Sequence, residues 1–174
     1  SANSRHILTA DEWTLLTKRL DEFAVMLKDI DMPMSYHPHI ATVIESESDI
    51  DRMLEECPNL DLLFDGGHLA YAGADPLNIW RKYEAKINHI HLKDVRLKEI
   101  EDVRANNKSF LEGVLAGTFT VPGDGDIDYD AIMKKIQESD YQGWLVVEAE
   151  QNPDVAPADV YAEKALDYIK QQIG

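Results

Sequence analysis

The sequence has a single cysteine, little positive charge and no long apolar run, and each scarcity excludes a class of protein. Cys57 is the only cysteine of 174 residues, so an internal disulfide is excluded and nothing indicates an oxidising compartment. No apolar run approaches the ~20 residues that a membrane-spanning helix needs. Residues 1–5 lack the apolar stretch of a signal peptide. We therefore expect a cytoplasmic protein without a membrane partner.

Basic residues are outnumbered, with 17 Lys and Arg against 33 Asp and Glu, and the formal net charge is −16. A surface of this charge repels phosphate backbones, and no cluster of Lys or Arg offsets it. We therefore expect no nucleic-acid partner. The hydrophobic share of 44% and the charged share of 29% are ordinary for a soluble globular protein. The length falls within the usual range of one domain, so we expect a single domain over residues 1–174.

Apolar runs that predict strands alternate along the chain with patterns that predict helices. The predicted strands cover residues 32–37, 60–65, 87–92 and 143–149. The predicted helices cover residues 11–30, 48–56, a segment starting at 75–76, and residues 104–115, 127–139 and 157–172. We expect Ser48 and Asp51 to cap the second helix, and the Gly-rich turn at 121–126 to end by capping the helix after it.

Strand followed by helix, four times over, predicts a parallel sheet that is covered on both faces. Two architectures fit this alternation: an open doubly wound sheet, or part of a (β/α)₈ barrel. A complete barrel takes about 250 residues and eight strands. If the chain is a barrel, it is therefore a partial one.

Histidines and acids gather at the ends of the predicted strands. The histidines are His37, His39, His68, His89 and His91, and the nearby acids are Asp65, Asp94 and Glu148. Because the C-terminal ends of parallel strands form one rim where ligands bind, we expect these side chains to converge. Imidazoles mixed with carboxylates, without cysteine, suit Mn²⁺, Co²⁺, Fe²⁺ or Zn²⁺. The sequence therefore predicts a divalent-metal site on this rim.

Some polar residues near the rim have a simpler interpretation. His89 lies on the same face as His91 but one pleat deeper, so we expect it to be a core or surface histidine. We expect Glu45 and Glu150 to be solvated, and Trp144 to be a packing residue.

Two of the rim acids have structural alternatives as well. Asp65 could cap the turn that follows its strand, and Glu148 could be a strand-end acid paired with a lysine. An apolar strand seldom ends in an unpaired carboxylate, because burying such a group is costly.

Five stretches, taken together, resemble one family. They are YHPHIATV at 36–43, FDGGHLAYAG at 64–73, HIHLKDVR at 89–96, TFTVPGDG at 118–125 and GWLVVEAEQ at 143–151. From about His6 onward the chain resembles the myo-inosose-2 dehydratases of the xylose-isomerase-like barrel superfamily. The resemblance implies an α/β fold, here a partial parallel (β/α) barrel of about four β/α units. It also implies that this is the C-terminal half, with the N-terminal strands absent.

The resemblance further implies a divalent metal held by four side chains at strand ends. The Asp-x-x-His and H-x-H-x-K-D patterns make Asp65 and His91 ligands, and the final ligand glutamate matches Glu148. The remaining ligand of the superfamily is usually a glutamate, whereas this sequence has His37 there. The expected ion is Mn²⁺ or Co²⁺, with Zn²⁺ or Mg²⁺ as alternatives.

The reaction implied is dehydration of 2-keto-myo-inositol (scyllo-inosose) to a trihydroxycyclohexane dione in inositol catabolism. The resemblance to related 3-dehydroshikimate dehydratases implies that His39 acts in acid/base catalysis and that Lys93 binds substrate. The Asp-x-x-His pattern of the superfamily implies that His68 faces substrate, so His39 and His68 are the candidates for proton transfer. A sugar-ketone isomerase or epimerase of the same superfamily is one alternative, and a non-catalytic assembly fragment is another. The expected partner is a small polyol ketone. Open sheet edges recruit other chains, so we also expect a homo-oligomer.

Overall fold

A computed structural model describes residues 4–174. Residues 1–3, which belong to the expected domain and to the segment that we expect not to be a signal peptide, lie outside the described residues. Four strands form one parallel sheet, and two short strands form a separate antiparallel pair. The strands are β1 Ser35–Tyr36, β2 Asp61–Asp65, β3 Ile87–Leu92, β4 Asp94–Val95, β5 Phe119–Thr120 and β6 Leu145–Val147.

Helices follow the strands of the sheet and cover it. The helices are α1 Ala10–Lys28, α2 Glu47–Glu56, α3 Gly66–Tyr71, α4 Pro76–Tyr83, α5 Leu97–Ala105, α6 Phe110–Ala116, α7 Tyr129–Glu138 and α8 Ala158–Ile173, with a 3₁₀ turn at Glu84–Lys86. Among residues 4–174, none of the helices combines the length and apolar character that a membrane crossing requires.

The order of the strands distinguishes the two architectures that the sequence left open. The sheet runs β1-β2-β3-β6, and every adjacent pair is parallel. A doubly wound sheet reverses its strand order at a switch point, whereas a barrel adds each strand beside the previous one. The sequential order is therefore that of a barrel segment, as expected.

The core lies between the two central strands and the helices. Leu62, Phe64, Ile90 and Leu92 are all 0% exposed. Phe64 meets Trp80 of α4 edge-on, with ring centroids 5.3 Å apart. Burial of such side chains stabilises by roughly 1.5–3 kcal/mol each, so this core holds the β2 and β3 ends in place.

The cap predicted for α2 is wrong by two residues. The oxygen of Ser46 accepts from the backbone N–H of Asp49, and the Asp49 carboxylate accepts from the N–H of Ser46. This reciprocal capping box satisfies two amide groups that would otherwise lack partners, which Ser48 and Asp51 would not do. The Gly-rich turn does not cap α7 either, since the cap is Asp128.

The helix predicted over residues 104–115 is also wrong, because this segment contains parts of two helices. The backbone of Asn107 has a φ of 51°, which is left-handed and ends α-helical geometry after α5. Ser109 and Glu112 then form a second capping box that starts α6. Gly117, with a φ of 87°, ends α6, and β5 follows.

Trp144 does not pack, contrary to expectation, because it is 80% exposed. It precedes β6, which pairs with β3 on one side and with no other strand of the described residues. Its surroundings therefore lack a second neighbouring strand that could cover the indole.

Candidate active site

Strand ends and strand register bring the four predicted metal ligands to the same edge of the sheet. Asp65 is the last residue of β2, and it lies beside His91 of β3 in the strand register. His37 directly follows β1, and Glu148 directly follows β6. Because all four strands are parallel, these side chains share the rim at the C-terminal ends.

One carboxylate oxygen, Asp65 Oδ2, lies at the centre of this group. It is 3.5 Å from His37 Nε2 and 3.5 Å from His91 Nδ1. Glu148 Oε2 lies 2.8 Å from His91 Nδ1. The side chain of Asp65 performs two tasks, because its other oxygen, Oδ1, accepts from the N–H of His68 at 2.9 Å and caps α3. The capping alternative is thus correct for Oδ1 and leaves Oδ2 facing the rim.

The donor atoms in this group are buried, and none of them makes a regular hydrogen bond among residues 4–174. They are His37 Nε2, Asp65 Oδ2, His91 Nδ1 and Glu148 Oε2, of which Glu148 Oε2 also forms an ion pair with Lys93 Nζ at 2.9 Å. Buried polar atoms are nearly always satisfied, so these atoms gathered around Asp65 Oδ2 favour a shared partner. Two imidazole nitrogens and two carboxylate oxygens are donors that divalent transition ions accept. The residues therefore fit the metal that the family resemblance implies.

The charges in this group favour a cation. Burial alone would raise the pKa of Asp65, but contacts with His37 and His91 lower it well below 3.8. Asp65 and Glu148 raise the pKa of His91 to about 9 despite its burial. His91 in turn lowers the pKa of Glu148 to about 2. Both carboxylates are therefore ionised at neutral pH and direct negative charge to one point.

Lys93 lies beside this group and is fully buried. Its Nζ is 2.9 Å from His68 Nε2, 2.9 Å from both Glu148 Oε2 and Glu150 Oε2, and 3.6 Å from Asp65 Oδ2. Burial lowers the pKa of Lys93, but the surrounding carboxylates outweigh burial and raise it above 10.5. Burial, aided by the charge of Lys93, lowers the pKa of His68 to about 2. An ammonium ion therefore faces a neutral imidazole.

The backbone around Lys93 is fixed by two neighbours. The hydroxyl of Tyr129 accepts from the N–H of Lys93 at 2.9 Å and donates to its carbonyl oxygen at 2.7 Å. Gly67 packs against the lysine stem, where a Cβ would lie 2.5 Å from Lys93 Cγ. The path of the side chain is therefore set by contacts along its whole length.

His39 completes the second group of candidates. Its ring is tilted against that of His68, with centroids 3.7 Å apart, and its Nδ1 lies 2.8 Å from the carbonyl oxygen of Ile40. Phe110 lies 5.7 Å from His39, and Phe119 lies 5.2 Å from His68, between ring centroids. The structure thus brings all seven predicted site residues together, four in the group that contains Asp65 and three in the group that contains Lys93.

Glu150 is not simply solvated as expected, because its carboxylate contacts Lys93 Nζ at 2.9 Å and lies 3.5 Å from His68 Nε2. One signal in the sequence could have found it. Alternate residues of an extended chain point the same way, so Glu148 and Glu150 were placed to share a face. Glu45 is half-buried, and its carboxylate accepts from the N–H of Ala41 at 2.6 Å.

Asp94 lies near the rim but has a structural task. Its Oδ1 accepts from the N–H groups of Val95 and Ile127, and its Oδ2 accepts from those of Gly123 and Gly125. The amides of the Gly-rich turn therefore bind a carboxylate of the protein itself. His89, for which we expected no role, is half-buried, and its ring lies 5.3 Å from that of His91.

The fold and this rim agree with the family comparison. A family model described as xylose isomerase-like TIM barrel matches residues 2–172. The chain belongs to this family. Its partial parallel barrel, predicted from the sequence, is therefore confirmed.

Curated relatives resemble the chain over nearly its whole length. The inosose dehydratase of Clostridium perfringens strain 13 is 41% identical over 172 residues, which are 98% of this chain and 58% of the relative. The inosose dehydratase of Geobacillus thermodenitrificans NG80-2 is 40% identical over 174 residues, again 58% of its length. The chain therefore spans little more than half the length of these relatives.

Solved structures share the fold at low sequence identity. The probable 3-DHS dehydratase AsbF of Bacillus anthracis has a TM-score of 0.72 and 18% identity, and the match covers 94% of this chain and 58% of that one. The IOLI protein, crystallised with a zinc atom, has a TM-score of 0.66 and 18% identity over 97% of this chain and 57% of its own. L-ribulose 3-epimerase has a TM-score of 0.67 and 16% identity over 98% and 57%.

Proposed function

We propose that this chain carries the metal and proton-transfer residues of a hydro-lyase that dehydrates a cyclic polyol ketone. The observation that carries the proposal is the cluster of buried ligand atoms around Asp65 Oδ2, which make no regular hydrogen bond, beside the pair of Lys93 and His68. Relatives that are 38–42% identical and named inosose dehydratase support the reaction class. By this likeness the substrate is scyllo-inosose, and the reaction takes place in the cytoplasm without a nucleic-acid or membrane partner.

His37, Asp65, His91 and Glu148 would hold the divalent ion, as the resemblance implies. Mn²⁺ or Co²⁺ remains our expectation, and the zinc atom of the IOLI protein supports a divalent ion on this fold. Such an ion would supply Lewis-acid stabilisation of the negative charge that develops on a ketone oxygen.

The residues of the chain itself supply the other requirements of dehydration. Loss of water from a hydroxyketone breaks a C–H bond next to the carbonyl and a C–O bond one carbon further on. The proton needs an acceptor and the departing hydroxide needs a donor. The adjacent rings of His39 and His68 provide two such groups close together. The ammonium of Lys93 contacts His68 and is suited to stabilising negative charge on the substrate, and the rings of Phe110 and Phe119 lie beside this group.

A sugar-ketone epimerase is the alternative, because removal of the same proton begins both reactions. The structural likeness to L-ribulose 3-epimerase keeps this reaction open, but at 16% identity it concerns the fold alone. Identity of 41% with an inosose dehydratase favours dehydration. A non-catalytic role of the chain is the second alternative, because the chain covers 58% of that relative.

Two measurements test the proposal. Calorimetric titration of the folded chain with Mn²⁺ is expected to show equimolar binding, and absence of binding would overturn the metal site. Scyllo-inosose is then incubated in two mixtures. One contains this chain alone, and the other contains this chain together with the part of the Clostridium perfringens relative that this chain does not cover. Mass spectrometry is expected to show a product that has lost one water. A product of unchanged mass would indicate an epimerase, and no product in either mixture would indicate a non-catalytic role.

A further inference from the structure

The group formed by His39, His68 and Glu150 resembles a second metal site by distance alone. One ligand atom from each residue lies within 4.8 Å of the other two. The Nζ of Lys93 already lies 2.9 Å from His68 Nε2 and 2.9 Å from Glu150 Oε2. The carboxylates of Glu148 and Glu150, each 2.9 Å from Nζ, keep the lysine protonated, so its ammonium already places a cation among these ligands. In this group, His68 and Glu150 therefore bind the Lys93 ammonium rather than a second metal ion. The geometry of the group determines which ring nitrogen of each histidine carries hydrogen.

The contact with Lys93 determines which nitrogen of His68 carries hydrogen. An ammonium group has three donors and no acceptor, so the Nε2 that it contacts must present its lone pair. The neutral ring therefore carries its hydrogen on Nδ1. Glu150 lies 3.5 Å from the same Nε2, too far for a good hydrogen bond that would favour the opposite tautomer. The Nδ1 of His68 is buried and has no partner among residues 4–174. His68 thus offers a free N–H.

His39 has the same tautomer and offers the opposite group. Its Nδ1 lies 2.8 Å from the carbonyl oxygen of Ile40, which can only accept. Nδ1 therefore carries the hydrogen and donates it, which leaves a lone pair on Nε2. The two adjacent rings accordingly present a donor and an acceptor, although both are protonated on Nδ1.

The position of Lys93 depends most directly on Glu150. Glu148 also contacts Nζ, but in the proposed site its carboxylate serves the metal as well. Glu150 Oε2 makes the hydrogen bond to Nζ from a side chain that is 30% exposed and has no proposed ligand role. Because a carboxylate accepts from an ammonium in a charge-assisted hydrogen bond, this contact is stronger than one between neutral groups.

We propose that Glu150 is a positioning residue that holds Lys93 against His68, so that His68 acts as the hydrogen donor and His39 as the acceptor. The catalytic role of this donor and acceptor pair rests on the proposed function. In dehydration, His39 Nε2 would take the C–H proton, and His68 Nδ1 would deliver a proton to the departing hydroxide, which leaves as water. Lys93 Nζ would pass a proton to His68 Nε2 at the same time, so that the His68 ring stays neutral.

Long-range ¹H–¹⁵N spectra of the chain labelled with ¹⁵N-histidine test the proposal, because they report which ring nitrogen carries hydrogen. Signals are assigned with His68→Gln and His39→Gln, and Zn²⁺ is the added ion because Mn²⁺ is paramagnetic. We expect the Nδ1–H tautomer at both histidines. Free neutral histidine favours Nε2–H, so this result would show an imposed tautomer.

Substitutions distinguish a specific effect of Glu150 on the His68 tautomer from a general effect on the fold. Lys93→Met is expected to return His68 to Nε2–H, and Glu150→Ala to shift it in that direction. Glu150→Gln keeps an acceptor oxygen and should preserve Nδ1–H. Glu138→Gln, which removes an exposed carboxylate, is the control and should change nothing. Circular dichroism checks folding, and Glu150→Asp, which shortens the reach by one methylene, replaces the alanine variant if that variant unfolds.

The outcomes are distinguishable from those of the proposed function. Nε2–H at His68 in the unsubstituted chain, or an unchanged tautomer in Lys93→Met, would overturn the assignment of donor and acceptor. An unchanged tautomer in Glu150→Ala, or in Glu150→Asp where that replaces it, would overturn the role of Glu150 alone. If the tautomers are as expected but no dehydrated product forms, the positioning holds and the proposed reaction fails.

Discussion

Replacing Gly67 by alanine tests whether packing beneath Lys93 sets the position of its ammonium. The added Cβ would lie 2.5 Å from Lys93 Cγ, 2.9 Å from Cδ and 3.0 Å from the carbonyl oxygen. Carbon atoms prefer separations of about 3.5–4.0 Å, so Cγ must move by roughly 1 Å. The lysine is fully buried and Tyr129 holds its peptide, so the displacement passes along the side chain towards Nζ.

The expected effect on stability is small because two terms oppose each other. Overpacking a buried site costs about 1–3 kcal/mol. Alanine is a better helix former than glycine by up to about 1 kcal/mol, and Gly67 lies in α3. We therefore expect Gly67→Ala to lower the free energy of unfolding by about 0–2 kcal/mol, measured by urea denaturation.

The expected effect on the site is larger. A shift of about 1 Å would take the 2.9 Å contact between Lys93 Nζ and His68 Nε2 beyond the 2.7–3.2 Å range of hydrogen bonds. The spectrum of labelled His68 should then lose its Nδ1–H tautomer. Gly73→Ala is the control, since its φ is +89° and nothing lies within 4 Å of an added Cβ. That variant should cost about 1–2 kcal/mol through its left-handed backbone and leave His68 unchanged.

The reasoning fails if Gly67→Ala keeps the His68 spectrum of the unsubstituted chain. It fails also if the loss of stability exceeds about 4 kcal/mol, because overpacking relieved by movement of one side chain does not cost so much.

Three further predictions concern the metal, the turnover and the assembly of the chain. Asp65→Asn keeps an oxygen to cap α3 but replaces the carboxylate oxygen that faces the rim. The affinity for Mn²⁺, measured by calorimetry, should therefore fall by more than about tenfold, or about 1.4 kcal/mol, whereas a chain with the exposed substitution Asp154→Asn should bind Mn²⁺ normally. His39→Ala should slow dehydration by about 10²–10⁴-fold in whichever mixture is active, with little change in the urea midpoint, and an unchanged rate would remove His39 from the mechanism. Light scattering at micromolar concentration should show self-association, because β1 and β6 each pair with only one strand of the described residues and so leave an edge open. Trp144→Ser, which removes an exposed indole, should weaken the self-association, and a monomer for both the unsubstituted chain and this variant would contradict the expectation.

Much of the fold was predictable because the signals lie close together in the sequence. Strand β3 was predicted with the bounds that the structure has, since Ile87, Ile90 and Leu92 mark one short, largely apolar run. The start of α4 was predicted from Asp75 and Pro76, whose roles as cap and first helical residue are local. The shared rim of Asp65 and His91 followed from a general property of parallel strands.

The remaining features depend on partners that are distant in sequence. The pair β4–β5 consists of two-residue strands, which are too short to show any periodicity. Asp94 could be assigned to its turn only once Gly125 and Ile127, more than 30 residues further on, were known to face it. The exposure of Trp144 follows from which strands lie beside β6. The residues of β6 do not show which strands these are.

The carboxylate of Asp94 has a consequence for how this chain can vary in length. Its hydrogen bond with Gly125 joins the two ends of the segment that contains α5 and α6. The N–H of Arg96 adds a hydrogen bond to the carbonyl oxygen of Thr118 at 2.8 Å. The two ends therefore meet whatever lies between them. Doubling a loop costs only about 0.6 kcal/mol in closure entropy. The exposed turn at Asn106, between α5 and α6, is thus a place where extra residues could be inserted while Lys93, next to the anchor, keeps its position.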